Sequence, residues 1–295
     1  MTLPSLSRRT LLAAGATWPL MAPARAQDGG RRIVAAGGVI TEIFYALDQQ
    51  DLLVGIDTTS LHPLAAMRDK ANVGYVRALS AEGVLSLKPT DLLAVEGAGP
   101  PDTIKLIAEA GVRVQRVSED TSEAGVVSRI RSIGDFTGAT ARAEALAARL
   151  ESDFAMLTRQ RQAITRRKRV LFILSLQNGR VMVGGAKSSA DAIIQLAGAV
   201  NAASAVEGYK PLTDEGLIAA APDVVLMMSH NSHAASPDQV FAQPALSVAP
   251  AARTRSLIAM DALYLIGFGP RTPDAAHDLM KAVYGPAALI QSARP

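Results

Sequence analysis

Gly74-Tyr75-Val76-Arg77-Ala78-Leu79-Ser80-Ala81-Glu82-Gly83 sets a phenol and a guanidinium two residues apart and then runs into what reads as the start of a helix. The chain nearly repeats itself as Gly208-Tyr209-Lys210-Pro211-Leu212-Thr213-Asp214-Glu215-Gly216. Each copy has the same sequel, Lys88-Pro89-Thr90-Asp91-Leu92-Leu93 in the first and Ala221-Pro222-Asp223-Val224-Val225-Leu226 in the second. A unit that occurs twice predicts two similar lobes, each presenting a tyrosine and a cation from a loop before a helix. Two such loops facing one another make a cleft, the usual seat of a ligand.

Working outward, apolar runs alternate with helical patterns. Arg32 to Gly38 reads as a strand ending in a glycine turn, Val39 to Leu47 as a helix, and Asp51 to Asp57 as a second strand. Asp91 to Val95 and Val112 to Val117 are further strands separated by a helix from Asp102. Strands alternating with helices predict a parallel sheet with right-handed crossovers. Ala139 to Gln162 has no Gly or Pro and places Leu146, Leu150, Phe154 and Leu157 at helical spacing. It is long for a crossover helix and lies between the two copies of the repeat, as a rigid strut between lobes would. The second lobe opens with a strand from Arg169, a hairpin signal at Asn178-Gly179 and a strand from Arg180. The expected fold is α/β: two Rossmann-like lobes, each a mostly parallel sheet flanked by helices, joined by one long rigid interlobe helix. The expected divisions are 1–26 as an export signal, 31–120 as the N-terminal lobe, 121–166 as the helical region and 167–295 as the C-terminal lobe.

The N-terminus reads as an address. Arg8-Arg9 precede an apolar stretch from Leu11 to Met21, and Ala24-Arg25-Ala26 offers small residues where a signal peptidase cuts. The paired arginines resemble a twin-arginine signal, and the apolar run is well short of the roughly 20 residues that span a bilayer. Without cysteine there is no lipoprotein anchor, no disulfide and no thiolate metal site. A periplasmic protein starting near Gln27, without membrane insertion, is expected. The formal charge of +3 belongs to the signal: removing residues 1–26 takes away Arg8, Arg9 and Arg25 and no acid, leaving basic and acidic residues equal at 27 each. That balance gives no reason to expect nucleic acid as a partner. A hydrophobic fraction of 49% and a charged fraction of 19% fit an ordinary globular chain.

Ile33 to Ile43, with its I-V-x-x-G-x-x-x-T-E-I pattern, and the P-x-D or P-D before a strand in each half resemble the exported two-lobed receptors of bacterial ABC importers that have a helical backbone. Asp57-Thr58-Thr59-Ser60, Val73 to Leu85, Gly208 to Leu212 and Gly267-Phe268-Gly269-Pro270-Arg271 are most similar to the haem-binding periplasmic receptors within that group. The resemblance runs over residues 32–285. It implies a monomeric binding protein, not an enzyme, that captures haem b in the cleft and delivers it to an inner-membrane ABC permease dimer with its ATPase subunits.

The resemblance carries the axial haem iron ligand over to Tyr75, and a phenolate is a hard anionic oxygen suited to ferric iron. Arg77 could stabilise the phenolate or pair with a haem propionate as a planar fork. Tyr209, the pseudo-symmetric partner of Tyr75, could stack on or hydrogen-bond the porphyrin; Lys210, Arg271 and His62 are further candidate haem or propionate contacts. Some relatives have a histidine soon after the first strand of the second lobe, but here that region reads Leu174-Ser175-Leu176-Gln177-Asn178, which favours five-coordinate haem or water opposite Tyr75. His230 and His233 follow a strand with H-x-x-H spacing and are candidate metal ligands; His277 reads as a surface residue. Glu42 and Asp191, each on the first turn of a helix in its half, are candidate acids for docking onto permease arginines. Docking, or simple complementing of a helix dipole, predicts that both are exposed.

Other readings stay open. The same scaffold could serve a corrinoid or a ferric siderophore, or a metal ion held by His62, His230 and His233. An exported enzyme lacks support, since there is no G-x-S-x-G elbow, H-E-x-x-H or P-loop. A rigid strut permits only modest lobe closure, so release is expected to rely on the transporter prising the lobes apart.

Overall fold

The computed structural model describes residues 30–177, 180–229 and 236–285. The first half builds strands β1 (Ile33–Ala36), β2 (Leu53–Ile56), β3 (Ala71–Asn72), β4 (Gly74–Tyr75), β5 (Ala78–Leu79), β6 (Asp91–Val95) and β7 (Arg113–Val117). Helices α1 (Gly38–Ala46), α2 (Leu64–Asp69), α3 (Ala81–Ser86) and α4 (Pro101–Glu109) lie between them. Five strands form a wholly parallel sheet in the order β3-β2-β1-β6-β7, while β4 and β5 make a separate antiparallel hairpin. β1 and β6 are buried along their whole length, as central strands covered by helices on both faces are. The chain steps outward from β1 to β3 and then returns past β1 to β6. Its order reverses between β1 and β6, where open α/β sheets take ligands beyond the carboxyl ends of the strands.

Helices α5 (Glu123–Thr137) and α6 (Thr140–Gln162) follow. The helical stretch is not one rod. Gly138 takes a left-handed conformation at φ 76° and turns the chain into a helical hairpin, leaving α6 as the long strut. At 23 residues, α6 is about 35 Å long at 1.5 Å per residue. Its buried stripe of Ala143, Leu146, Ala147, Leu150, Phe154 and Leu157 repeats every three or four positions, as one face of a helix must.

The second half contains β8 (Arg169–Gln177), β9 (Arg180–Gly184), β10 (Val200–Asn201), β11 (Tyr209–Leu212), β12 (Val224–Ser229) and β13 (Leu257–Asp261). Its helices are α7 (Ser189–Leu196), α8 (Asp214–Ala220), α9 (Pro237–Phe241), α10 (Pro244–Ser247), α11 (Pro250–Thr254), α12 (Ala262–Ile266) and α13 (Thr272–Tyr284). The sheet runs β11-β9-β8-β12-β13, with β10 beside the start of β8. The pairings of β8 with β10 and β12, and of β12 with β13, are parallel; those of β9 with β8 and β11 are antiparallel. Gln177 pairs with Arg180 across the expected hairpin, whose turn residues, Asn178 and Gly179, lie outside the described residues. Successive residues of a strand point to opposite faces, and β8 obeys this. Val170 and Phe172 enter one apolar core, Leu171 and Ile173 another on the far face.

The two halves share that first core. It joins Ile33 and Leu92 of the first sheet and Ile40 of α1 to the α6 stripe, to Val170 and Phe172 of β8, and to Ile193 of α7 and Leu279 of α13. The described residues from Arg31 onward accordingly form one compact unit. The architecture is the expected pair of α/β lobes on a helical backbone, welded by apolar packing along the strut.

Candidate functional site

Tyr75 does not sit in a loop, as its sequence context suggested, but on one arm of a hairpin. It pairs with Ala78, Gly74 pairs with Leu79, and Val76-Arg77 form the two-residue connection. Gly74 takes φ 98°, a conformation that L side chains rarely adopt, so glycine is needed there for the chain to enter the hairpin. The backbone is pinned from both sides of the crevice. Thr58 N–H, past the end of β2, donates to the Gly74 carbonyl at 2.9 Å; Gly99 N–H, past β6, donates to Val76; and Leu79 N–H donates back to Gly99. Val76 and Leu79 are buried, whereas Tyr75 is 49% exposed and Arg77 is exposed. Among the described residues no hydrogen bond engages the Tyr75 phenol. A rigid hairpin thus presents an aromatic hydroxyl and a guanidinium to solvent at the switch point of the sheet. Ser80 ends the hairpin and caps α3, its hydroxyl accepting Gly83 N–H at 3.0 Å.

The second copy is built differently. Tyr209 opens edge strand β11 opposite Gly184, after Gly208 at φ 67°. Its hydroxyl lies 2.7 Å from Ser189 Oγ at the start of α7. Its ring meets Phe172 edge-on at 6.2 Å, and the residue is 36% exposed. Lys210 beside it is exposed. Thr213 caps α8 through Gly216 N–H at 3.2 Å, as Ser80 caps α3. The acids that follow also correspond: Asp91 accepts from Arg113 Nε at 2.6 Å at the start of β6, and Asp223 accepts Arg169 N–H at 2.8 Å just before β12.

Behind the tyrosine hairpin lies a buried carboxylate. Asp57, 2% exposed, accepts Gly37 N–H at 2.8 Å, Thr59 N–H at 2.8 Å and the Thr59 hydroxyl at 2.7 Å. The Asp57-Thr58-Thr59-Ser60 segment therefore fastens the loop after β2 to the start of α1, with Thr41 and Ser60 hydroxyls 2.7 Å apart beneath. His62 is half-buried two residues further on.

Glu42 and Asp191 are not solvent-facing acids. Glu42 is 5% exposed, because α1 is buried from Gly38 to Phe44. Its two oxygens each accept from Arg271, Nε and Nη2, at 2.8 Å. Asp191, half-buried, accepts from Gln195, from Asn201 and from the Lys187 backbone. Both carboxylates are occupied within the fold, which removes them as docking groups. Two of the N–H donors of Arg271, on Nε and Nη2, are likewise taken by Glu42. Its guanidinium also lies 5.1 Å over the Tyr264 ring, and Tyr264 donates to Asp278 at 2.8 Å. Burial lowers the affinity of Arg271 for its proton, but the hydrogen bond and charge of Glu42 outweigh this and hold its pKa above the ordinary value. Burial, reinforced by Asp278, pushes the Tyr264 phenol well up.

Sequence reasoning missed Arg129. On α5 and only 4% exposed, it donates to the carbonyls of Ser118, Asp120 and, across to the second half, Phe268. Burial lowers its pKa, while Glu119, Asp120 and Glu96 act in the opposite direction. The glycine-rich loop Gly267–Arg271 is thereby clamped twice, to α5 by Arg129 and to α1 by Glu42. His277 is not a plain surface residue; its Nδ1 lies 3.1 Å from Gln160 Oε1 and links α13 to the strut. His230 and His233 lie outside the described residues. Among the described residues no group of three or more His, Asp or Glu side chains is arranged to hold a metal, and no helix is long and apolar enough to cross a membrane.

The exposed acids that do match between the copies are Glu82 and Glu215, each in the first turn of its helix. The L-[ST]-x-E-G pattern carried that signal from the start.

A model described as periplasmic binding protein matches residues 33–264. A solved structure of the periplasmic haem-binding protein BhuT in complex with two haems is 37% identical, at a TM-score of 0.82, covering 88% of this chain and all of that one. The periplasmic haem-binding protein RhuT from Roseiflexus sp. RS-1, in apo form, is 38% identical at a TM-score of 0.82 with the same coverage. An ABC transporter substrate-binding lipoprotein of Bacillus subtilis, YvrC, is 25% identical over 86% of this chain and 80% of its own length.

Proposed function

The chain belongs to the periplasmic binding protein family, and on that premise we propose that it captures haem between its two lobes and hands it to an ABC permease. The carrying observation is the Tyr75 hairpin: an exposed phenol on a backbone fixed at the switch point of the first sheet, with Arg77 in its turn. The two similar haem-binding structures support haem b as cargo rather than catalytic cofactor. Tyr75 is the axial ligand to ferric iron, Arg77 and Lys210 serve the propionates, and Tyr209 lies against the macrocycle. The lobes are residues 31–120 and 167–295, with 121–166 between them, and residues 1–26 direct export to the periplasm.

Docking falls to Glu82 and Glu215, exposed at matching points of the repeat. Reversing either charge, Glu82→Arg or Glu215→Arg, should leave haem uptake by the soluble receptor intact and abolish transport into vesicles holding the permease dimer and its ATPase subunits. Intact transport by both variants removes this assignment.

The test of the cargo is an absorption titration of the mature protein with haemin. Saturable binding with a high-spin tyrosinate-type spectrum, lost in Tyr75→Phe, is the expected result. Binding that Tyr75→Phe leaves spectrally unchanged moves the iron ligand elsewhere. No saturable binding discards haem and leaves the corrinoid and ferric-siderophore readings to be titrated in turn.

A further inference from the structure

The equality of basic and acidic residues outside the export signal hides how unevenly they are placed. Arg159, Arg161, Arg166, Arg167, Lys168 and Arg169 run from the last turns of the strut into β8, and no acid occurs between Asp153 and Asp191. We propose that this end of the second half, its base, is a docking surface for an anionic phospholipid bilayer. The inference goes beyond the haem reading and does not depend on the cargo.

The fold gathers the cations at one pole. Strands β8, β10, β12 and β13 start level with one another, Arg169 pairing with Val200, Val170 with Val224 and Val225 with Leu257. Two helices reach the same level. Lys168 N–H donates to the Tyr284 hydroxyl at 3.1 Å, just past Lys281 in the last turn of α13. Ala251 N–H in α11, which carries Arg253, donates to the Pro222 carbonyl at 2.9 Å. Part of the charge is used within the fold. Arg161 meets Glu123 at 3.6 Å. Lys168 Nζ donates to the Val283 carbonyl at 2.8 Å and Arg169 Nε to the Ala220 carbonyl at 2.9 Å, which places both cations at carboxyl ends of helices, where they are stabilising. That structural role does not extend to Arg159, Arg166, Arg167, Arg253 and Lys281. All five are exposed, and among the described residues none has its side chain in a hydrogen bond or an ion pair.

These five stand on the strut, on its link to β8, on α11 and on α13, so they offer spread charge rather than a pocket shaped for one ligand. A sheet of phosphodiester headgroups is spread charge of the opposite sign. Guanidinium forks match phosphate oxygens in pairs, and each basic residue near such a surface strengthens partition about fivefold, equivalent to ~1 kcal/mol. The other pole of the second half carries an acid instead. Leu212, last in β11, pairs with Val181, which also pairs with Leu176 near the carboxyl end of β8, and Glu215 follows in α8. Under the docking assignment made above, a molecule resting on its base holds Glu215 away from the bilayer and must turn over to meet the permease. Resting and delivery are then exclusive orientations.

The experiment is sedimentation of the mature, haem-free protein with vesicles of phosphatidylglycerol and phosphatidylcholine, beside vesicles of phosphatidylcholine alone. Wild type should sediment with the anionic vesicles at low salt, stay in solution with the neutral ones, and be released as salt is raised. Arg166→Gln/Arg167→Gln should weaken partition about 25-fold, two fivefold steps. Arg149→Gln/Arg180→Gln removes the same charge from mid-strut and from the start of β9, and should shift partition by less than about twofold, since screening confines the effect to charges near the surface. The melting temperature and haemin titration of Arg166→Gln/Arg167→Gln should match wild type, so a lost partition cannot be lost folding. Wild type that stays in solution with anionic vesicles, or sediments equally with neutral ones, overturns the inference. Equal losses from the two double variants overturn it as well, since net charge rather than the base would then act. Tighter binding to soluble polyglutamate than to the vesicles also overturns it and makes the partner an acidic protein. A failed haemin titration removes the haem reading and leaves the sedimentation result standing.

Discussion

Tyr75 and Tyr209 stand at matching points of a duplicated unit, yet they are restrained in opposite ways. The first has its backbone fixed and its phenol open: Thr58 and Gly99 hold the hairpin while the side chain projects. The second lies on an edge strand with its side chain tied, to Ser189 by a hydrogen bond and to Phe172 by ring contact. A duplicated scaffold can thus keep the position of a functional group and still change its availability with one neighbouring hydroxyl. The first arrangement leaves its hydroxyl preorganised and open, whereas the second has its hydroxyl and ring already engaged within the fold.

The largest effect that would break this comparison comes at Tyr75. Tyr75→Phe should weaken haemin binding by at least a hundredfold and remove the tyrosinate bands, while Tyr209→Phe should leave a tyrosinate spectrum; equal losses from the two would make the lobes functionally symmetric. Next comes the frame that keeps the lobes in register. Arg271→Ala strands the carboxylate of Glu42, 5% exposed, and should lower unfolding free energy by about 3 kcal/mol in a denaturant melt, the scale of removing one partner from a buried pair. Arg271→Lys, which keeps the charge and loses the fork, should recover only part of this.

The helix caps sharpen the comparison with smaller effects. Ser80→Ala and Thr213→Ala should each cost about 1 kcal/mol. Neither should alter haemin affinity, because the bond by which Ser80 closes the Tyr75 hairpin, its N–H to the Val73 carbonyl, is backbone and survives in alanine. The smallest difference is acid sensitivity. Burial raises the pKa of Asp91, but the hydrogen bonds from Arg113 and Thr90 outweigh it and leave it below the ordinary carboxylate value. A depressed folded pKa gives stability that is present above the unfolded value, about 3.9, and is lost as pH falls through the folded value. The melting-temperature gap between wild type and Asp91→Asn should therefore be widest near neutrality and close below about pH 4; a gap that widens in acid would contradict the ion pair.

The repeat, the alternation of strands and helices and the uninterrupted run from Ala139 to Gln162 were legible because they are local periodicities. The same holds for Ser80 and Thr213, whose capping role follows from the acid and glycine after them. The Tyr75 hairpin was not legible: two-residue strands have no period to detect, and the bonds that hold it come from Thr58 and Gly99. Helix α2 was hidden for a similar reason, since turn formers before it and its six residues give little pattern. Glu42 was misjudged because an acid on a first turn ordinarily faces water, whereas α1 begins at Gly38 and sets Glu42 beyond its first turn, in the buried run. Its partner Arg271 is 229 residues away, and no local pattern announces an ion pair across that separation. Arg129 escaped for the same cause, with Phe268 139 residues distant.

The apolar core that runs beneath both sheets has an evolutionary consequence. A unit copied within one chain begins as two interchangeable modules, each able to be lost, swapped or expressed alone. Once the α6 stripe, Phe172 and Leu279 pack into the same interior as Ile40 and Leu92, neither copy owns a complete interior. The halves have become heritable only together. Later change can diversify their surfaces, one tyrosine against the other, while the interior between them remains a single indivisible inheritance.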